Sequence, residues 1–261
     1  MSTAPGQHAD ERIAELEARV RELEELARRG ARAKDRAEIE NVFSRYMFCH
    51  NAFRDEEIIP LWVKPGTPGI RAQYSNAGVY TTWESVTEYH RNRPAPVGKL
   101  ILHATTTPVI EVSEDGATAK GVWIMFGLES GLADPEVAEA LPDFLFTPGE
   151  VDGKRVWAHW VWAKYALAFL KQDGAWRIWQ FRCYEVARAP FHESWVHFAA
   201  RDVEAFDRDL MYFGEDGRPR FMPPPDAPAT EIAHRYSPRR RQTLDPRPPE
   251  PYRTFEEGDR A

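Results

Sequence analysis

Cysteine is nearly missing: Cys49 and Cys183 are the only two in 261 residues. Two thiols cannot build a disulfide framework, and without a CxxC pair nothing points to zinc or to thiol redox chemistry. Long apolar runs are missing as well. The mean hydropathy is −0.57, and no stretch approaches the roughly 20 apolar residues that a membrane helix needs. The opening MSTAPGQHADERIAELEARV has no basic region followed by an apolar one, so the expectation is a cytoplasmic protein without a secretory signal. Positive charge is not in excess either. Against 41 Asp and Glu stand 34 Lys and Arg, a formal charge of −7, which argues against a nucleic-acid partner because phosphate binding draws on a clustered basic surface. The one basic run, Arg239-Arg240-Arg241, falls in a proline-rich tail and reads as solvated. Signature motifs are absent too: no G-x-S-x-G elbow, P-loop, dinucleotide glycine fingerprint or HExxH occurs. His192-Glu193 is an isolated pair without ligand spacing. Neither a metal nor a cofactor is expected.

What is present divides into three parts. Residues 1–33 are expected to form a helical extension: from about Asp10 to Arg29 nearly all are helix formers, and Ile13, Leu16, Val20, Leu23 and Leu26 are spaced by three or four, which draws one narrow apolar stripe on a charged helix. A stripe this narrow cannot bury itself in a monomer, so a homo-oligomer, dimer or trimer, is expected. Gly30 is expected to end that helix before a second one carries Ile39, Val42, Phe43, Tyr46 and Met47 on one face. Residues 34–213 form the expected main domain. It contains two long β-rich hairpins, the first turning at Ser113-Glu114-Asp115-Gly116 and the second at Asp173-Gly174. Between them, residues 129–155 are too long for a plain connector and read as a lid. A last amphipathic helix is expected over SWVHFAARDVEAFDRDLMYF. Residues 214–261 hold ten of the 21 prolines; such a segment cannot pack a core and is expected to run extended, around a partner subunit.

The order helix, helix, hairpins, together with ENVFSRYMFCHNAF leading to IIPLWV, the strand ILHATTTPVIEV and the closing DGAWRI, resembles the SnoaL-like, nuclear-transport-factor-like superfamily over about residues 34–188. The resemblance implies an α+β fold, a cone-shaped curved antiparallel sheet wrapped around N-terminal helices, with the ligand in its open end. In the dehydrochlorinases and scytalone-type dehydratases of this superfamily, a strand histidine is oriented by an aspartate at the end of the helix. The histidine matches His103; the aspartate position is occupied by Asn51. A neutral amide can fix a ring by a hydrogen bond but cannot stabilise an imidazolium as a carboxylate does.

The candidate catalytic residues are therefore His103 as pocket acid or base, Tyr46 as a phenolic donor, Asn51 at the departed position, and two cations, Lys164 and Arg182. Lys164 interrupts a strand crowded with Trp157, Trp160 and Trp162, where a buried ammonium needs a carboxylate, a π-face or a substrate anion; a lysine snorkelling from the outer face is the alternative. Arg182 could hold an oxyanion or pair with Glu185. His50, Arg71, Tyr74, Tyr80, Trp123, His159 and Tyr184 are candidate substrate walls. Which strand face points inward stays open, since one bulge would exchange Lys164 for Tyr165 or Arg182 for Phe181.

The resemblance and these residues together suggest a cofactor-independent lyase acting on a small, hydroxylated aromatic molecule. One enzyme group on this fold removes water and formaldehyde from lignin-derived diaryl compounds to leave a stilbene. A dehydratase, isomerase or polyketide cyclase is the alternative within the class, and a noncatalytic binding or assembly module the alternative outside it. No nucleic acid or membrane is expected as a partner.

Overall fold

In the computed structural model, residues 5–139, 141–201, 211–214, 216, 218–229 and 231–255 are described. The first element, α1 (Pro5–Asn51), is one unbroken helix of 47 residues. Gly30 does not end it, contrary to expectation. A glycine in a helix interior costs only about 1 kcal/mol relative to alanine, and strong helix formers without a proline flank it on both sides. From Asp35 onward α1 enters the core, burying Ile39, Phe43, Tyr46 and Met47. Asp35 fixes that entry by accepting from Lys171 Nζ (2.6 Å) and Trp176 Nε1 (2.9 Å).

After α2 (Asp55–Ile58) come β1 (Arg71–Ser75), β2 (Gly78–Tyr80), α3 (Trp83–Arg91), β3 (Leu100–Val112), β4 (Thr118–Ala133), α4 (Pro135–Ala138), β5 (Phe146–Val151), β6 (Lys154–Gln172), β7 (Ala175–Pro190) and α5 (Trp195–Ala200). A small pair, β8 (Met211–Phe213) and β9 (Pro219–Phe221), follows. The sheet is ordered β2-β1-β7-β6-β4-β3, with β5 added on β6. All pairings in it are antiparallel except β1 on β7. The path does not close, and the bulges in β3 and β7 bend it around the inner end of α1. This is the expected α+β cone. No helix among the described residues is long and apolar enough to cross a membrane. The last expected helix is described only over Trp195–Ala200; residues 202–210 of that stretch lie outside the described residues.

Two bulges in β7 settle which side chains face inward. Along β6 the inner row is His159, Val161, Ala163, Tyr165, Leu167 and Phe169, so Lys164 belongs to the outer face. In β7, Ile178 opposes Phe169 while Gln180 opposes Ala168, which leaves Trp179 as an extra residue. Val186 is extra in the same way between Glu185 and Ala187. Each extra residue shifts the alternation by one. The inner row therefore runs Trp176, Ile178, Phe181, Cys183 and, after the second shift, Arg188, while Arg182 and Tyr184 face outward.

The proline-rich tail returns to its own sheet, where a wrapped partner was expected. Tyr80 Oη donates to the Pro223 carbonyl (2.6 Å), Val79 N to Ala227 (2.9 Å), Gln73 Nε2 to Glu231 (3.0 Å) and Lys164 Nζ to Asp245 (2.6 Å). A segment that cannot donate from its prolines binds here through its carbonyls. Between tail and sheet it leaves an outer groove of about 960 Å³, lined by Lys164, Arg182, Tyr184, Leu244 and Tyr252 among others. Of residues 129–155, read from sequence as a lid, the first five complete β4 and the rest pass through α4 into the β5–β6 hairpin, with an apolar cluster of Ala133, Ala138, Leu145 and Phe146 against Trp157.

Candidate functional site

Inside the cone, β3, β4, β6 and β7 meet at one buried polar cluster. His103 Nε2 lies 3.0 Å from Glu129 Oε1, and His103 Nδ1 lies 3.2 Å from the Tyr165 hydroxyl. Glu129 is gripped from its other side by Arg188, at 2.7 and 3.3 Å, and Arg188 Nε also donates to Glu185 (2.9 Å). Gly127 stands directly opposite His103 in the β3–β4 register. A Cβ there would fall 2.2 Å from the Leu102 carbonyl oxygen and 2.9 Å from His103 Cδ2, so only glycine lets the imidazole lie this close to β4.

The electrostatics fix the proton positions. Burial alone would raise the Glu129 carboxyl, but the Arg188 guanidinium and the His103 hydrogen bond hold it well below the usual carboxylate range. Burial would likewise raise the Glu185 carboxyl, but Arg188 and Arg235 outweigh it and hold it below its ordinary value. An ionised carboxylate only accepts, so the His103 Nε2–H donates to Glu129 while Nδ1 stands against the Tyr165 hydroxyl. Tyr165, His103 and Glu129 thus form a directed chain anchored on Arg188.

His50 stacks on His103, with ring centroids 5.1 Å apart, and on Tyr46 at 6.1 Å. Burial, then the neighbouring Arg93 and His103, push the His50 imidazole well below its ordinary value, so it is neutral. A second polar chain runs deeper. Tyr74 Oη meets His90 Nε2 at 3.1 Å, His90 Nδ1 faces Asp55 at 3.6 Å, and Arg93 Nη1 donates to Asp55 (2.8 Å). Burial lifts the Tyr74 phenol well above its usual value and lowers the His90 imidazole. At the rim, burial and Arg93 bring the Lys99 ammonium down to about 7.

Of the residues proposed from sequence, His103, His50, Asn51 and Tyr46 come together here. Asn51 does not orient the imidazole. Its Nδ2 donates to the His103 carbonyl and its Oδ1 accepts from the His103 N–H, both at 3.1 Å, so it joins the end of α1 to the β3 backbone. The ring receives its carboxylate from β4 instead. Restoring an acid with Asn51→Asp removes the donor and sets a carboxylate against a carbonyl oxygen. The expected result is a loss of about 1–3 kcal/mol in urea denaturation, with no gain in activity; an equally stable variant would contradict this role.

Tyr74 and Tyr80 line the deep aromatic wall with Tyr89, and Trp123 packs on Phe43 at 4.5 Å. His159 faces inward, but its Nε2 is 3.2 Å from the Leu145 carbonyl, and burial with Arg188 nearby pulls it to about 4. Lys164, Arg182 and Tyr184 are corrected to the outer face, where Arg182 pairs with Glu231 and lies 4.2 Å over the Tyr184 ring. Arg71, opposite Gln180 on β1, shares that outer side. The sequence reading missed Glu129 and Arg188, and beside them Asp55, His90 and Arg93; Tyr165 it named only as the residue that one bulge would exchange for Lys164. A signal existed for Glu129. It is a lone acid in the apolar run VWIMFGLESGLA, but pairing outward from the Ser113–Gly116 turn brings it to the His103 face only once the β3 bulge between Thr106 and Val109 is counted.

Fold and site together define a helix-in-sheet cone with a buried acid–base cluster. The family model described as "SnoaL-like domain" matches residues 31–182, and the chain belongs to that family. The match spans His103, Glu129 and Tyr165, while Arg188 and the tail lie beyond it. Among similar solved structures are a hexachlorocyclohexane dehydrochlorinase of type 2 (16% identity, TM-score 0.45, covering 66% of this chain and 97% of that one) and one from Novosphingobium barchaimii (15%, 0.45, 62% and 93%). A protein from Kribbella flavida is similar at 14% identity, with a TM-score of 0.42, covering 60% and 93%. No curated protein sequence matches.

Proposed function

We propose that the protein is a cofactor-independent acid–base lyase acting on a small hydroxylated aromatic molecule held in the cone. The observation that carries this reading is the chain Tyr165–His103–Glu129–Arg188, in which one proton can move between a phenol and an imidazole whose orientation a buried carboxylate fixes. The rings packed around it, Tyr46, His50 and Phe181, suit an aromatic ligand.

The finer reading is loss of water and formaldehyde from a diaryl-propanediol to give a stilbene. The stoichiometry is redox-neutral: the terminal CH2–OH loses its proton, the C–C bond breaks to release formaldehyde, and its electrons form the double bond as the protonated benzylic hydroxyl leaves as water. One base and one acid suffice, and His103 with Tyr165 supplies both. Because Lys164 and Arg182 face outward, they are not assigned to hold substrate oxygens; Tyr46 remains a second donor. A noncatalytic binding module is the competing reading, favoured by the fact that protein groups already engage both His103 ring nitrogens.

The test is incubation of purified, metal-stripped protein with hydroxylated diaryl and polyketide-like aromatics, following ultraviolet absorbance and released formaldehyde. New conjugation with formaldehyde supports the diaryl lyase. Conjugation alone moves the reaction to a dehydratase or isomerase, and binding without turnover across the panel supports the binding module.

A further inference from the structure

The projecting part of α1 leaves Ile13, Leu16, Val20 and Leu23 between 51% and 58% exposed, although the same helix is rooted in the core from Ile39 onward. Written as heptads with Ile13 at position a, Leu16 is d, Val20 is a, Leu23 is d and Ala27 is the next a. β-branched residues at a with leucine at d favour two parallel strands over three or four. The flanking charges decide the orientation. Positions g are Arg12, Arg19 and, at the end of the stretch, Leu26, and positions e are Glu17 and Glu24.

In a parallel pair, each g residue faces the e residue of the following heptad on the other helix. Arg12 then meets Glu17 of the second copy, Arg19 meets Glu24 of the second copy, and symmetry doubles both pairs. In an antiparallel pair g faces g and e faces e, which sets arginine against arginine and glutamate against glutamate. Within one chain Arg12 and Glu17 make only exposed contacts, to Glu15 at 3.5 Å and Arg21 at 4.0 Å, so they are available to a partner helix. Nucleation does not oppose pairing, because the cone already holds the far end of the helix. We infer that residues 13–27 form a parallel, two-stranded coiled coil with a second copy of this chain.

Ile124, Phe126 and Trp162 are also exposed on the outer face of the sheet, so the readout has to be local to the helix. In the full-length protein, Leu16→Cys places a thiol at a d position facing its own counterpart. Mild oxidation should give a covalent pair as the main species on a non-reducing gel, with none from the parent protein that keeps Cys49 and Cys183. Adding Arg12→Glu and Arg19→Glu should reduce the cross-linked yield and weaken pairing in sedimentation by about tenfold or more. Further adding Glu17→Arg and Glu24→Arg should restore both. All these positions are solvent-exposed in the single chain, so the variants leave the cone folded. Absence of a covalent pair from Leu16→Cys, indifference to the charge reversal, or a particle built of three chains would each overturn the inference.

Discussion

Replacing Arg188 by alanine lowers the unfolding free energy by about 3–5 kcal/mol at neutral pH, and the thermal midpoint by roughly 10 °C. The guanidinium is the shared partner of Glu129 and Glu185, at 2.7 and 2.9 Å. Removing it leaves Glu129 with only the His103 ring and Glu185 with only Arg235. In the parent protein both are held below the ordinary range, so their contribution is present above the unfolded carboxylate pKa and lost as pH falls through the depressed folded values. In the variant burial is opposed at Glu129 only by the His103 hydrogen bond, without the larger influence of the guanidinium. Its pKa rises above the unfolded value, the folded state binds the extra proton, and stability improves as pH falls. The deficit is therefore largest near pH 8 and smaller near pH 5, as urea denaturation at the two values will read. Glu129→Gln in the same background should recover part of it. A deficit below about 1 kcal/mol, the range of an exposed pair, or one that grows on acidification, would remove the buried cluster from the account.

His103→Ala is expected to lower kcat/KM by about 10²–10⁴-fold, the contribution of a positioned acid–base group, on whichever aromatic substrate the panel identifies. Tyr165→Phe should cause a loss of the same order while leaving the apolar packing intact, since the ring touches Phe43 and Phe181 and only its hydroxyl reaches His103. The double variant should be little worse than either single one, because the two groups move the same proton. Multiplicative losses would mean that they act on separate steps. A fully active Tyr165→Phe enzyme would leave His103 to meet the substrate unaided. Ligand affinity, measured alongside, separates these outcomes from a binding module, which has no turnover to lose.

Much of the cone was legible in the sequence because periodicity reports it: the apolar face of α1 from Ile39 to Met47, the hairpin turns at Ser113–Gly116 and Asp173-Gly174, and His103 on its strand. What alternation could not report was phase. Trp179 and Val186 each add one residue to β7, and nothing in AWRIWQFRCYEVARAP marks them, so Arg182 read as inward where Arg188 is. Lys164 was set beside the site by the tryptophans around it, yet Trp160 and Trp162 are themselves outward and Trp157 packs against Leu145 and Phe146, and its neighbour Tyr165 holds the position it was given. Asn51 shows a different limit. The missing aspartate was visible, but the carboxylate that meets the His103 ring comes from β4, distant in sequence and near only after the β3–β4 register is drawn. Gly30 failed as a helix terminator because local preference is weak against a long run of helix formers.

The tail also has a bearing on how the protein is made. Chain elongation proceeds at about 5–20 residues per second, so the strands of the cone leave the ribosome seconds before the segment that closes over them. During that interval β2 is an open edge, because Val79 finds its backbone partners only when Asp226 and Ala227 arrive. The outer groove is then an uncovered floor of Val122, Lys164, Arg182 and Tyr184. An unpaired strand edge on a nascent chain is a template for the next chain on the same message. The prolines of the tail suit this late task, since a segment that cannot itself build a strand ladder can cover an edge without offering a new one.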